Sequence, residues 1–359
     1  MSESIIASSD AGNGGCNTVA IIGGKTKTYY EPSVRAMATG DSLGLGAEFE
    51  MQYDYVDWYG NRYVTGDDVV RVTRRGLERH MGAQRYGEEF HRFLVAVSLA
   101  KLGVKEGDVN LTLFAPPGLF KEARKVIVDG FMSSDSNVKI KLRGDKKTRE
   151  WRYSAINVYP EGIGAAAVFM LDESGHPCDT DALRGDIIIL DAGAFTLDAL
   201  KMSDGSFNPE TLETATWENA GVNTHIREPL LRKVHSQGDD FKVATVDDID
   251  VVLRKGLSGG DFMLNVAGQE VNLKPLADRY MERYADWVSN NVCDGVFNGF
   301  RGIRGAILVG GGATMIEEKL RLLYPDKILD RKKYGHVKKV HPVDMNAVGG
   351  LRLTLSRLG

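Results

Sequence analysis

An α/β architecture of two related halves is what this sequence predicts, and three observations carry it. β-rich runs alternate with helical periodicity along the chain, the pattern of strands connected by helices. Asp-Ala-Gly stands at residues 10–12 and again at 191–193, each time between two β-rich runs and half a chain length apart. A segment reused at that spacing implies two halves on one plan. A third strand-to-glycine transition, AILVGGGA at residues 306–313, leads into a helical run.

The elements follow in order. Ser4 to Ser9 reads as a strand, DAGNGG as the turn after it, and Thr18 to Ile22 as the returning strand. From about Tyr29 to Arg79 the pattern is irregular and rich in Gly, Tyr and Asp, with a hairpin expected at Tyr59-Gly60-Asn61. A small inserted subdomain over about 29–90 is expected there. Phe90, Phe93, Leu94, Val97 and Leu102 have helical spacing. The strand VNLTLFAPP and a helix through Arg124, Ile127 and Phe131 come next. Ile187 to Leu190 forms a second apolar strand that ends in DAGAFTLD, and Ala199 to Met202 returns. The expected domains are a first lobe over 1–180, a second over 181–340, and a C-terminal helix over 341–359 that returns to the first.

Composition narrows the function classes. A chain of 359 residues has room for about two domains, and its 43% hydrophobic and 26% charged residues are ordinary for a soluble globular protein. No apolar run approaches the ~18 residues of a membrane span, and the N-terminus lacks the basic and apolar regions of a secretory signal. A cytoplasmic address and no membrane partner are expected. Cys16, Cys178 and Cys293 fit no metal-ligand spacing, and the seven His are scattered, so no structural metal is assigned. A net charge of −4 gives no broad basic face, and the basic run Lys141 to Arg152 reads as a solvated hairpin. No direct contact with nucleic acid is expected.

The three glycine motifs carry the chemistry. In Asp10-Ala11-Gly12-Asn13-Gly14-Gly15, glycines would let backbone N–H groups converge on an anion, while a strand-end carboxylate can hold hydrated Mg²⁺ beside phosphates. Taken alone, Asn13-Gly14 is equally a β-hairpin turn. Asp191-Ala192-Gly193-Ala194-Phe195-Thr196-Leu197-Asp198 follows the same logic, and a structural turn is again an alternative. Gly310-Gly311-Gly312 stands between strand and helix, where a flat adenosine could lie on bare backbone. Two familiar phosphate motifs fail. Gly24-Lys25-Thr26 lacks the first P-loop glycine, since residue 19 is Val, and neither glycine pair completes a dinucleotide fingerprint, because Asn17 and Met315 occupy the third position.

The collinear order of these motifs resembles the actin, sugar kinase and heat-shock chaperone ATPase superfamily. Within it, Tyr159-Pro160-Glu161-Gly162-Ile163-Gly164, the pattern at 191–198 and the tail Asn346 to Leu351 look most like ParM-type bacterial plasmid-segregating actins and archaeal actin-like proteins. The resemblance implies an actin-like fold, a duplicated mixed sheet with flanking helices in two lobes around a central nucleotide cleft, with ATP or ADP and Mg²⁺ bound. It implies that Gly12, Asn13, Gly14, Gly15, Cys16 and Asn17 wrap the phosphates after Asp10. It further implies that Asp10 and Asp191 hold the metal, that Gly310, Gly311, Gly312 and Ala313 take adenosine, and that Gly193, Ala194, Thr196, Gly221 and Met315 also bind the nucleotide. Glu161 matches the acid that positions the attacking water, with Asp191 as its catalytic companion. A first-turn helix acid is the alternative reading of Glu161.

Three positions depart from the family pattern. Asn17 stands where a Lys usually reaches the phosphates, and Ala194 and Phe195 replace small or hydroxylic residues. Phe195 either enters the core or crowds the γ-phosphate. The implied function is an ATP-dependent, ATP-hydrolysing filament that polymerises head to tail and moves plasmid or other DNA through a DNA-binding adaptor. A small-molecule kinase or a regulatory ATPase of the same superfamily is the alternative, although neither a substrate-directed catalytic Asp nor a peptide-binding domain is legible. A membrane-tethered form lacks its amphipathic tail, since Asn346 to Leu358 reads as a packed helix.

Overall fold

A computed structural model describes residues 4–38, 53–69, 76–79, 82, 85–133, 137–206 and 214–359; the parts of the expected 29–90 insertion at 39–52, 70–75, 80–81 and 83–84 lie outside the described residues. The chain divides into two compact units. The first comprises Met1–Gly164, Ser174–His176 and Asn346–Gly359, and the second Ala165–Glu173 and Pro177–Met345.

The first unit holds β1 (Ile5–Ala11), β2 (Gly15–Ile22), β3 (Lys25–Pro32), β4 (Val34–Met37), β5 (Tyr55–Trp58), β6 (Asn61–Val64), β7 (Leu77–Arg79), β8 (Glu106–Ala115), β9 (Asn137–Leu142) and β10 (Arg149–Pro160). Among the described residues these form one sheet in the order β3-β2-β1-β8-β10-β9-β5-β6-β4-β7. The segment expected as a separate insertion therefore extends the main sheet through β4 to β7. The Tyr59-Gly60 hairpin joins β5 to β6, and the basic run forms the β9–β10 hairpin, its charges offset by Arg149–Asp145 and Arg152–Asp108 pairs.

Helix α1 (Glu89–Leu102) has its expected stripe but is buried on nearly every side, from Phe93 through Ala100, and stops where Gly103 turns left-handed at φ 112°. Helix α2 (Phe120–Phe131) buries Phe120, Ala123, Ile127 and Phe131, the i, i+3, i+4 spacing of one face.

The second unit begins within α3 (Ile163–Met170). Its strands β11 (Asp186–Ala192), β12 (Leu197–Ser203), β13 (Thr214–Trp217) and β16 (Gly305–Val309) form a sheet ordered β13-β12-β11-β16, and β14 (Met263–Val266) pairs with β15 (Gln269–Asn272). Helices α4 (Glu228–His235), α5 (Val246–Leu257), α6 (Lys274–Val288) and α7 (Ala313–Leu323) cover it around a core that includes Leu190, Leu197, Ile226, Leu253, Tyr284 and Ile316. Helix α8 (Met345–Leu358) belongs almost wholly to the first unit, with Ala347 and Leu351 against Val19.

The duplication is real at the level of pairing. β3-β2-β1-β8 and β13-β12-β11-β16 share the same pattern, two antiparallel neighbours and then one parallel. The boundaries differ from those expected. The first falls at Gly164 instead of 180, because Phe169 packs edge-on against Tyr334 (5.1 Å) and its carbonyl accepts from His336 Nε2 (2.9 Å). The last falls at Met345 instead of 340.

Candidate functional site

The two Asp-anchored turns are built on one hydrogen-bond frame. Across β1 and β2, Asp10 stands opposite Asn17 and Ala11 opposite Cys16, and the Gly12 N–H donates to the Gly15 carbonyl at 3.0 Å. Across β11 and β12, Asp191 stands opposite Asp198 and Ala192 opposite Leu197, and the Gly193 N–H donates to the Thr196 carbonyl at 3.0 Å. No residue of either turn has left-handed backbone. Asn13-Gly14 therefore does join β1 to β2 as a β-hairpin, as its sequence allowed, but not in the type I′ form, which needs positive φ at both central residues.

In both turns the carbonyls are engaged on one side. The Tyr30 hydroxyl donates to Gly14 O (2.9 Å), the Ser33 hydroxyl to Gly12 O (2.7 Å) and the Ser33 N–H to Gly14 O (3.3 Å). In the second unit the N–H groups of Gly221, Val222 and Asn223 donate to Phe195 O (3.1 Å), Gly193 O (3.1 Å) and Ala194 O (2.8 Å). A trans peptide points its N–H away from its C=O. The N–H groups of Asn13 and Gly15, and those of Ala194, Phe195 and Thr196, share these peptides and so point away from the engaged carbonyls.

In the first turn a methyl on Gly12 would meet only Gly15 O, at 3.7 Å, so the chain's own packing does not demand glycine there. A methyl on Gly15 would strike the Tyr30 ring at 2.2 Å. Asn13 Oδ1 and Asn17 Oδ1 are buried without a hydrogen-bond partner. Cys16 is wholly buried, and burial pushes its thiol up to about 12, so only its main chain can serve a ligand.

Asp10 ends β1 with Oδ2 accepting from Asn346 Nδ2 at 3.0 Å. Burial raises its carboxyl pKa, against the lowering effects of that hydrogen bond and of the Arg85 charge. A cation at Asp10 would relieve this desolvation. Among the described residues no three His, Cys, Asp or Glu side chains converge, so a Mg²⁺ here would rest on few carboxylates plus waters and phosphate oxygens, its usual coordination.

In the second unit Asp198 accepts from both Thr196 Oγ1 (2.7 Å) and Thr216 Oγ1 (2.5 Å), which fixes Thr196 in the turn. Phe195 is half-buried and is not part of the unit's hydrophobic core. The glycine triplet then divides by role. Gly310 has φ 89° and packs so closely that a methyl would lie 2.4 Å from Asp191 Oδ1, while Gly312 donates to Ala192 O (2.8 Å) and would clash with Ala192 at 2.8 Å. Gly311 has nothing within 4 Å of its Cβ position and is the bare surface of the three. Ala313 is fully buried and Met315 packs on the core, so of the expected nucleotide-binding residues these two present little side chain to a ligand.

Glu161 follows β10, its N–H donating to Ala115 O (2.8 Å), and precedes Gly162, whose N–H donates to Asn346 Oδ1 (3.0 Å). Asn346 thus joins the Glu161 turn to Asp10 within the first unit. Gly349 lets α8 approach this turn so closely that a methyl would lie 1.7 Å from Gly164 O. Asn346, Tyr86, Asp198 and the main chain of Val222 and Asn223 bond to residues of the candidate site and were missed by sequence reasoning. Asn346 lay inside a motif already noticed, and its chemistry was the available signal.

The comparisons bear on the fold. Residues 9–164 match the family model of the N-terminal domain of actin-like proteins. No curated protein matches the chain. Among solved structures, the archaeal actin homolog Ta0583 superposes with a TM-score of 0.73 at 16% identity over 98% of this chain and 99% of that one, and its complex with ADP with 0.72 at 16% over 99% of each. Bacillus thuringiensis ParM with ATP gives 0.67 at 13%, again over 99% of each chain. A non-polymerisable quadruple mutant of pCBH ParM gives 0.69 at 16%, over 99% of this chain and 100% of that one. The fold defines the class: this is an α/β protein with the actin-like fold. The resemblance read from its motifs stands, and relatives in fold include both archaeal and ParM-type actins.

Proposed function

We propose that the protein binds ATP with Mg²⁺ through the two Asp-anchored turns, hydrolyses it, and assembles head to tail into a cytoplasmic filament that moves DNA through a DNA-binding adaptor. The observation that supports this most is the repeated frame of the turns, with carbonyls engaged on one side and N–H groups turned to the other. Neighbours of the same fold hold ADP and ATP.

In this reading the N–H groups of the first turn and of residues 194–196 receive phosphate oxygens, and Gly311 offers bare backbone to adenosine. Asp10 and Asp191 would hold Mg²⁺. When bound, the metal neutralises charge on the phosphates. Glu161 accepts a proton from a water whose oxygen bonds to the γ-phosphorus as the bond to the bridging oxygen breaks, and ADP and inorganic phosphate leave. Subunits that meet through unlike surfaces form an open polymer, which suits a polar filament.

Sedimentation and electron microscopy with ATP and with a non-hydrolysable analogue test assembly. Polymer with either nucleotide is expected, and none at micromolar protein would rule out the filament. Glu161→Gln should slow phosphate release by about 10²–10⁴-fold, the usual worth of a general base, while nucleotide binding persists.

A further inference from the structure

The Glu161 carboxylate is held by more than its own turn. Tyr86, in the connection before α1, is only 2% exposed, and its hydroxyl donates to Glu161 Oε1 at 3.4 Å. The Arg85 guanidinium donates to that hydroxyl, lies over the Tyr86 ring at 4.3 Å, and donates to Gly82 O at 3.2 Å. Arg85 is half-buried, its hydrogen bonds go to the Tyr86 hydroxyl and Gly82 O, and its Nε is buried without an acceptor. A partly desolvated cation whose hydrogen bonds go to neutral groups gains when further negative charge is brought beside it.

Negative charge arrives here with the nucleotide. The Arg85 charge already acts on Asp10, lowering its carboxyl pKa against burial, and together with burial it pushes His91 down to about 3, which keeps that neighbour neutral. Asn17, opposite Asp10 across the strands, supplies no charge. Asp10, Arg85, Tyr86, Glu161 and Asn346 therefore form one connected polar group in the first unit, with Arg85 as its cation among the described residues.

We propose that Arg85 and Tyr86 are positioning residues for ATP hydrolysis: Tyr86 aims the Glu161 carboxylate through its hydroxyl, and Arg85 fixes that hydroxyl while supplying positive charge to the group that contains Asp10. This rests on the ATPase reading above. Its chemistry is that of an acid held in one orientation so that a water meets the γ-phosphorus in line; misplacement of a base by about 1 Å can cost roughly a hundredfold in rate.

The test combines single-turnover phosphate release with nucleotide affinity for the wild type, Tyr86→Phe, Arg85→Lys, Arg85→Gln, Glu161→Gln and the Tyr86→Phe/Glu161→Gln double variant. Tyr86→Phe should lose about tenfold in hydrolysis, with ATP affinity within about twofold of wild type. Arg85→Gln should lose at least as much, and Arg85→Lys should recover part of it. In the Glu161→Gln background the Tyr86→Phe loss should vanish, since the hydroxyl then has no base to aim. Thermal melts establish that each variant is folded, and if Tyr86→Phe is not, the Arg85→Lys and Arg85→Gln pair carries the same test. Wild-type hydrolysis in Tyr86→Phe, or an equal loss with and without Glu161, overturns the proposal. A wild type that binds ATP but does not turn it over overturns this inference while leaving the binding reading intact, and one that binds no nucleotide overturns both.

Discussion

In the first unit the turn carbonyls of residues 12 and 14 are held chiefly by the hydroxyls of Tyr30 and Ser33, whereas in the second those of 193, 194 and 195 are held by three consecutive main-chain N–H groups from 221 to 223. Across the strands, Asp10 faces a neutral Asn17 with an unpartnered oxygen, and Asp191 faces a second carboxylate, Asp198, clasped by two threonines. One frame is thus supported in two ways. Side chains can swing aside, but a main-chain clamp cannot move without disturbing the elements on both sides of it.

The sharpest break of this comparison is Gly221→Ala set against Gly15→Ala. The first puts a methyl 2.6 Å from main-chain atoms of Ala194 and Phe195, and a loss of about 3 kcal/mol in urea unfolding is expected. The second meets the Tyr30 ring first, a side chain that can shift at the expense of its bond to Gly14, and a smaller loss, on the order of 1 kcal/mol, is expected. Equal losses would mean that the two supports are equally rigid. Asp198→Asn comes next: it keeps the shape but removes the charge on two hydroxyl bonds, and about 2 kcal/mol should disappear in the same assay.

Asn17→Lys places a cation beside the first turn, opposite Asp10. Equilibrium titration should show ATP bound about tenfold more tightly, and an unchanged affinity would mean that the charge is already supplied elsewhere. The smallest effect concerns thiols. Cys16, which supports the first turn where Leu197 supports the second, is buried with its thiol held near about 12, as is Cys293, while Cys178 is exposed. At about pH 8 a maleimide should label Cys178 alone in the folded protein. Labelling of Cys16 would show that the first turn opens.

Much of the fold was legible because strand alternation, helical spacing and turn residues are local signals. The faces of α1 and α2, the β5–β6 and β9–β10 hairpins and the twice-used Asp-Ala-Gly opening all follow from residues a few positions apart. The glycine triplet was legible only as a group; that Gly310 and Gly312 answer to packing and Gly311 does not depends on what approaches each one. The boundary at Gly164 was not legible, since it turns on Phe169 meeting residues more than a hundred and sixty positions later.

What the sequence by itself determined is the α/β plan, its duplication and the acids and glycines that open each turn, because these depend on local backbone preference and on residue type. Only the tertiary structure decided that Asn346 bridges to Asp10 across 336 residues, that Tyr86 reaches Glu161, and that residues 221–223 clamp the second turn. The first two are side-chain contacts without a fixed spacing. The third is made by backbone N–H groups, which almost every residue carries and which no residue type can announce.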